Sequence, residues 1–250
     1  MKRYGRWVVV AALATVLVWT ALAWTQDPMA AIDAAYAKRD GTDVAAKQSL
    51  ALAEQAFANG GGFEAAWRAA RACFWVCDRT TNSKVKEEYG KRGWEWGLKA
   101  ISLNGARVEG YYFACICLGE HGTGIGIPRA ILKGLGGKYE ELGNKALAIN
   151  ASYERGGPLR AMGRYFQQLP KLARKLDRSE QYYKKAEAVA PCMTRTRFYM
   201  VEMYMEQEKW DAARATAQAA LTTAGCPEHA WECNYYKQQV QALQKKFPAQ

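Results

Sequence analysis

Four stretches of the chain carry the apolar and polar pattern of an amphipathic helix, and each has a small residue at a matching place. The first three stretches then stop at Asn or Pro, which end helices. Each is preceded by a further helical stretch with a corresponding residue: Ala70, Ala114, Gly163 or Val201. Abundant Ala and scarce Pro agree with an all-helical chain. The four small residues are Ala100, Ala146, Ala186 and Ala220.

The last helix pair has the most regular spacing. Ala186 and Ala220 lie 34 positions apart, and Tyr204 and Ala213 stand where a 34-residue helix-turn-helix repeat places an aromatic and a small residue. At these positions the chain resembles the tetratricopeptide family. The resemblance implies an all-α solenoid of about four helix pairs, with capping helices at both ends.

The flanks of the array fit that architecture. Residues 29–38 and 43–58 predict two helices that cover the first unit, and three glycines at 60–62 predict a break after them. Residues 228–245 predict a polar capping helix. No linker divides the chain, so residues 28–250 are predicted to form one tetratricopeptide-like domain.

The earlier units are longer than 34 residues, with spacings of 46 and 40 positions between their small residues. The extra residues fall between the two helices of a unit, at 78–84, 119–137 and 169–178. This uneven array resembles the T-component family of TRAP transporters, through the stretches 111–114 and 160–166. The resemblance implies a protein partner, the periplasmic solute-binding protein of such a transporter, and a role accessory to solute uptake.

The N-terminus predicts export. Lys2, Arg3 and Arg6 precede an apolar run that ends in Ala21-Leu22-Ala23, so residues 1–23 read as a signal peptide or as an uncleaved membrane anchor. Either interpretation places the rest of the chain outside the cytoplasm, in the periplasm, secreted, or held at the outer face of the inner membrane. No Cys follows the run, so a lipoprotein anchor is not supported.

The net charge is +11, and +8 without the three basic residues of the N-terminus. Export argues against nucleic acid as the partner. Anionic lipid heads, acidic peptides or carboxylate ligands fit better, and a basic surface that is merely solvated is the simpler alternative.

In tetratricopeptide arrays, the first helix of each pair lines the concave groove. Alignment of the small residues places aromatic and Arg side chains there, a mixture that suits an anionic or amphipathic ligand. Packing of these side chains between repeats is the alternative. The predicted groove residues are Trp67, Arg71, Tyr111, Arg160, Arg164 and Phe198.

The glycine-rich segment 122–137 follows a helix and lacks a Gly-Lys-Ser/Thr ending, so it does not predict a phosphate-binding loop. We expect a flexible apolar loop carrying Arg129 and Lys133. Such a loop could touch a membrane, line a pore at a contact between subunits of an oligomer, gate the groove, or only connect two helices.

Seven Cys in an exported chain favour disulfides, but their pairing does not follow from the sequence. A bridge between the pair Cys73 and Cys77 and the pair Cys115 and Cys117 is plausible. The alternative is a metal site, although the spacing matches no common zinc module. Its ligands would be Cys192, Cys226, His229 and Cys233.

Catalysis has little support in the sequence. It contains two His and no Gly-x-Ser-x-Gly or His-Glu-x-x-His motif, so we expect neither an enzyme nor a cofactor. The function predicted is an exported, membrane-proximal scaffold for a protein partner. The alternative is a carrier that holds a small apolar or anionic ligand in the concave groove.

Overall fold

The computed structural model describes residues 27–39 and 42–248, and within these ranges the regular structure is helical throughout. A short 3₁₀ turn at Pro227–His229 precedes the last helix. The α-helices are α1 (Pro28–Ala37), α2 (Val44–Ala58), α3 (Gly62–Asp78), α4 (Ser83–Leu103), α5 (Val108–Ile125), α6 (Ile127–Leu132), α7 (Leu135–Asn150), α8 (Tyr153–Gln168), α9 (Leu176–Val189), α10 (Thr194–Glu206), α11 (Trp210–Thr222) and α12 (Ala230–Gln244).

The helices stack in two rows. Helices α3, α5, α8, α10 and α12 contact one another in that order and form the inner row. Helices α4, α7, α9 and α11 pack behind them, while α1 and α2 cover the first unit. The sequence prediction of an all-α solenoid of about four helix pairs with caps is confirmed.

The predicted signal peptide or anchor, residues 1–23, lies outside the described part of the chain. Across residues 27–39 and 42–248, none of the helices has both the length and the apolar character needed to cross a bilayer.

Local sequence sets several helix boundaries. The side chain of Asn82 caps α4 by accepting a hydrogen bond from the backbone N–H of Lys84 at 3.0 Å. Gly126 and Gly134 have φ of +88° and +66°, a backbone conformation that glycine adopts at little cost, and they bracket α6.

The small residues found by sequence pattern lie where helices meet. Ala100, Ala146, Ala186 and Ala220 are at most 1% exposed. Glycines extend this close packing: a Cβ added at Gly97 would come within 2.7 Å of the backbone of Ala114 on α5. Since protein interiors are close-packed, side-chain size at these positions sets the distance between helices.

The segment 122–137 is not the flexible loop that the sequence predicts. Helix α5 continues to Ile125, α6 follows at once, and α7 begins at Leu135. Ala130 and Leu135 are buried against Leu118 and other apolar side chains of this region. Burial of those groups gives the glycine-rich segment a fixed place in the fold.

The substitution Gly97→Ala tests the importance of close helix packing. We expect it to lower the free energy of unfolding by about 1–3 kcal/mol, because the new methyl group meets the α5 backbone and α4 must move. Urea denaturation measures the change. The control is Gly137→Ala, where the methyl group would meet no atom within 4 Å. Equal losses in the two variants would contradict this account.

Candidate functional site

A cavity of about 360 Å³ lies along the inner row of helices. Every helix of the inner row contributes to its wall, and Ile131 of α6 and Leu135 of α7 border it as well. The volume falls in the range of small-molecule sites, and the wall is rich in rings. The aromatic residues of the wall include Phe74, Tyr112, Tyr139, Phe198, Tyr199 and Tyr236.

A buried ion cluster joins the first unit to the C-terminal end of the array. The guanidinium of Arg195 lies 2.8 Å from Oδ2 of Asp78 on α3 and 2.7 Å from Oε1 of Glu232 on α12. Arg79 pairs with the same oxygen of Asp78. We call these four residues the Arg195 cluster. Because Asp78 and Arg195 are 117 positions apart, the cluster holds distant parts of the solenoid together.

Aromatic rings surround the Arg195 cluster. The rings of Trp75 on α3 and Trp231 on α12 meet edge to face, with centroids 6.3 Å apart. The guanidinium of Arg79 lies 4.2 Å from the centroid of Tyr235, and that of Arg195 lies 4.7 Å from the centroid of Tyr236. Cation–π and ring–ring interactions thus link α3 to α12 along the inner surface of the array.

The ion pairs of the cluster shift its pKa values. Burial alone would raise the pKa of Glu232, but the charge of Arg195, helped by His229 at 3.6 Å and by the charge of Arg160, outweighs it and lowers the pKa to about 2. Burial alone would lower the pKa of Arg195, whereas the carboxylates of Asp78 and Glu232 hold it well above its ordinary value. Both Arg195 and Glu232 are therefore charged at neutral pH.

Arg160 has a different environment. Its side chain borders the cavity and is 6% exposed. Its Nη2 donates to the carbonyl oxygen of Glu154 at 2.8 Å, and its Nη1 donates to that of Arg155. In the described residues, no carboxylate lies within ion-pair distance of it, although its charge helps to lower the pKa of the buried Glu232 from further away. Arg160 is thus a buried cation held by backbone oxygens.

The turn that Arg160 holds is strained. Glu154 and Arg155 have φ of 47° and 56°, in the left-handed region, and Gly156 follows with φ of 78°. For residues other than glycine this conformation costs roughly 1–2 kcal/mol each. The carbonyl oxygens of Glu154 and Arg155 both accept hydrogen bonds from the guanidinium of Arg160. These bonds hold the side chain of Arg160 against the cavity.

The other charges in the cavity wall are paired. Nη1 of Arg164 lies 2.7 Å from Oε2 of Glu202, and its guanidinium lies 4.6 Å from the centroid of Tyr199. Lys86 forms an ion pair with Glu120. Arg160 therefore differs from Arg164 in having no close ion pair with a carboxylate among the described side chains.

Three of the six predicted groove residues, Arg160, Arg164 and Phe198, border the cavity. The other three do not. In the first unit, Phe74 and Asp78 take the places predicted for Trp67 and Arg71.

Helix α1 explains the difference in the first unit. Arg71 donates to Oδ1 of Asp33 at 2.5 Å, and its guanidinium lies 3.8 Å from the centroid of the Tyr36 ring. Both partners are on α1, so the side chain of Arg71 packs against α1 and not in the cavity. Trp67 stacks on Phe113 with centroids 6.0 Å apart.

In the second unit, the residue after the predicted one faces the cavity. Tyr112 lines the wall, whereas Tyr111 packs against the core clusters behind it. The alignment of small residues was one position off here, a difference that moves a side chain by about 100° around a helix.

The residues of the Arg195 cluster were not among the predicted site residues. Asp78 lies at the end of α3, and Glu232 lies on a helix interpreted only as a polar cap. The available signal was the aromatic content of that cap, which contains Trp231, Tyr235 and Tyr236 and is unusual for a solvated end.

The cysteines of the described residues form one disulfide, between Cys192 and Cys226, which links the residues just before α10 and α12. The predicted bridge between α3 and α5 was wrong. The free thiols are buried, and burial raises the pKa of Cys73 to about 12, which leaves little thiolate. The free cysteines are Cys73, Cys77, Cys115, Cys117 and Cys233.

The alternative zinc site at Cys192, Cys226, His229 and Cys233 does not form. Two of its sulfurs are joined in the disulfide, and Sγ of Cys233 donates to the carbonyl oxygen of Cys192 at 3.5 Å. The described residues bring together no group of three or more ligands with metal-binding geometry.

The stacked helix pairs and the concave cavity define a tetratricopeptide-like repeat protein, a fold suited to protein–protein interaction. The structure aligns with TTC0263, a thermophilic TPR protein of Thermus thermophilus, with a TM-score of 0.64 and 17% identity over 86% of this chain and 97% of that one. Yeast Tom70 aligns with a TM-score of only 0.28 and 11% identity over 81% of this chain and 60% of that one, which carries no argument about the fold.

The sequence profile of one family, described as regulator of microtubule dynamics protein 1-3, matches residues 29–157, just over half of the chain. The chain belongs to this family. Among curated proteins, no sequence matches it significantly. The resemblance to the T-component family of TRAP transporters gains no support from these comparisons.

The substitution Arg195→Met tests the ion cluster. We expect it to lower the free energy of unfolding by about 3–5 kcal/mol, because Asp78 and Glu232 would then be buried without their shared cation. Chemical denaturation at neutral pH measures the loss. The matched control is Arg174→Met, whose partner Glu206 is at the surface, so that loss should stay below about 1 kcal/mol. Similar losses in both variants would show that the cluster does not hold the array together.

Proposed function

We propose that the chain is a scaffold that holds a segment of a protein partner in the concave cavity, with a carboxylate of the partner at Arg160. The observation that supports this proposal is the state of Arg160: it is buried at the cavity wall, and no carboxylate of the described residues lies within ion-pair distance of it. A guanidinium has five N–H donors, and two carbonyl oxygens leave some of them for a ligand.

The surroundings of Arg160 suit an amphipathic segment. Tyr112 and Phe198 lie in the same wall, and such rings offer large apolar contact with few rotatable bonds. A carboxylate that reaches a buried guanidinium forms short, charge-assisted hydrogen bonds. The wall therefore supports an acidic group beside apolar side chains as the feature recognised.

Two biological settings are open for such a scaffold. The description of the family suggests a role in regulating microtubule dynamics. The sequence resemblance suggests a role beside a periplasmic solute-binding protein, which requires the export predicted for residues 1–23. The two settings lie in different compartments, but both require a protein partner, and the proposed chemistry of the groove is the same in each.

The substitution Arg160→Ala tests the assignment. Against acidic amphipathic peptides selected for binding to the wild-type chain, we expect affinity to fall roughly 10- to 100-fold, the usual effect of losing hydrogen bonds to a charged group. Calorimetric titration measures it. Arg160→Lys, which keeps the charge but not the fork of donors, should lie between the two.

The control for that experiment is Arg92→Ala. Arg92 lies on α4 and bonds Glu54 at 2.6 Å, away from the cavity wall, so its loss should leave peptide affinity unchanged. Equal affinities for the Arg160 and Arg92 variants would rule out Arg160 as the recognition residue.

The second candidate is a carrier of a small amphiphile with an anionic head. The size of the cavity favours it, since about 360 Å³ suits a small ligand, and Ile131 and Leu135 border the space. Native mass spectrometry of the chain purified from its own cells without reductant distinguishes the two. A carrier would retain an added mass on the order of a few hundred daltons that Arg160→Ala removes, as expected for ligands that fill such sites. A bare chain would favour the scaffold.

A further inference from the structure

Two aliphatic side chains project into solvent from connectors that border the cavity. Leu132, at the end of α6, is 88% exposed, and Leu172, in the connector between α8 and α9, is 103% exposed. They are the two most exposed large apolar residues of the described chain. Water does not favour such exposure, so an apolar environment for these tips would stabilise the chain.

Both projections have fixed backbones. In the second connector, the N–H of Ala173 donates to the carbonyl oxygen of Pro170 at 2.8 Å, and the N–H of Lys175 donates to that of Phe166 at 3.2 Å. At the end of α6, the N–H of Gly134 donates to the carbonyl oxygen of Ile131 at 2.9 Å. The tips are therefore held outwards by hydrogen-bonded turns.

The two connectors border the same cavity and pack on the same hydrophobic cluster. Ile131 and Leu135 from the first and Leu169 from the second all border it. Behind them, the rings of Tyr139 and Tyr165 stack with centroids 4.9 Å apart. The tips thus come from connectors that pack beside each other, although they belong to different repeat units.

The surface around the two tips is basic. Residues 121–139 and 155–176 contain no Asp or Glu. Arg129 and Lys133 flank the first tip, and Lys171 and Lys175 flank the second, all four without an ion pair among the described residues. Arg174 is the exception, because it pairs with Glu206 at 2.7 Å.

We propose that this surface, the tip surface, docks on a bilayer that carries anionic headgroups. It consists of Arg129, Leu132, Lys133, Lys171, Leu172 and Lys175. Exposed aliphatic side chains beside basic ones match the boundary between headgroups and acyl chains. A bilayer accepts tips at any spacing on one face of the protein, whereas a protein partner would need a pocket for each. The proposal does not depend on what the cavity binds.

The test uses the full chain, with hydrogen exchange followed by mass spectrometry. The apolar run at residues 7–23 could attach the chain to any vesicle, so the readout must be local to the tip surface. We compare phosphatidylcholine vesicles with vesicles that also contain about 30% phosphatidylserine, a fraction high enough to give a negative surface potential. Amides in 129–134 and 171–175 should exchange at least about fivefold more slowly on the anionic vesicles, the factor expected from one basic residue at such a surface.

The double substitution Leu132→Ser with Leu172→Ser should abolish this protection, while the fold is kept because both side chains are exposed. Val44→Ser, at another exposed aliphatic residue, is the control and should leave the protection intact. Equal protection on both vesicle types, or full protection in the double variant, would overturn the proposal. Protection by poly-glutamate but not by vesicles would also overturn it and would favour an acidic protein surface.

Discussion

The buried contact between Arg195 and the two carboxylates of Asp78 and Glu232 is the interaction on which the shape of the site depends. It joins α3 to α10 and α12 across the array, while the disulfide from Cys192 to Cys226 ties the chain near the same helices. Buried ion pairs contribute little net stability, because desolvation offsets their attraction. They matter here for the geometry of the fold. Because these buried charges have one favourable arrangement, they set the curvature of the solenoid and the volume of the space that it encloses.

The same enclosure explains the contrast between the arginines of the cavity wall. Arg164 and Arg195 form ion pairs with carboxylates, so their charges hold helices in place. Arg160 is held by the carbonyl groups of Glu154 and Arg155, in a strained left-handed turn. Strain of this kind persists where the surrounding structure fixes it, often beside a binding site. It leaves a positive charge in the wall that an incoming carboxylate can meet.

Much of the fold follows from the sequence, because small residues recur wherever helices approach closely, as Ala100 and Ala186 show. Half of the predicted groove residues also follow from the sequence, because the alignment of small residues is correct in the last two units. The rest needed tertiary information. The guanidinium of Arg71 is hydrogen-bonded to Asp33 of α1. Asp78 contacts Arg195 only because the array curves back on itself. The local pattern of apolar residues predicts neither of these contacts. The helical conformation of α6 likewise depends on burial of Ala130 against residues that are distant in the sequence.

The most direct test of a concave recognition site is photo-crosslinking in the cells that make the protein. A photoreactive amino acid replaces Phe198 in the cavity wall or, as the control, Leu98 on the outer helix α4, which is 42% exposed. The account predicts a discrete crosslinked protein from position 198 that Arg160→Ala removes, and none from position 98. Crosslinks from position 98 alone, or crosslinks from position 198 that persist without Arg160, would contradict it.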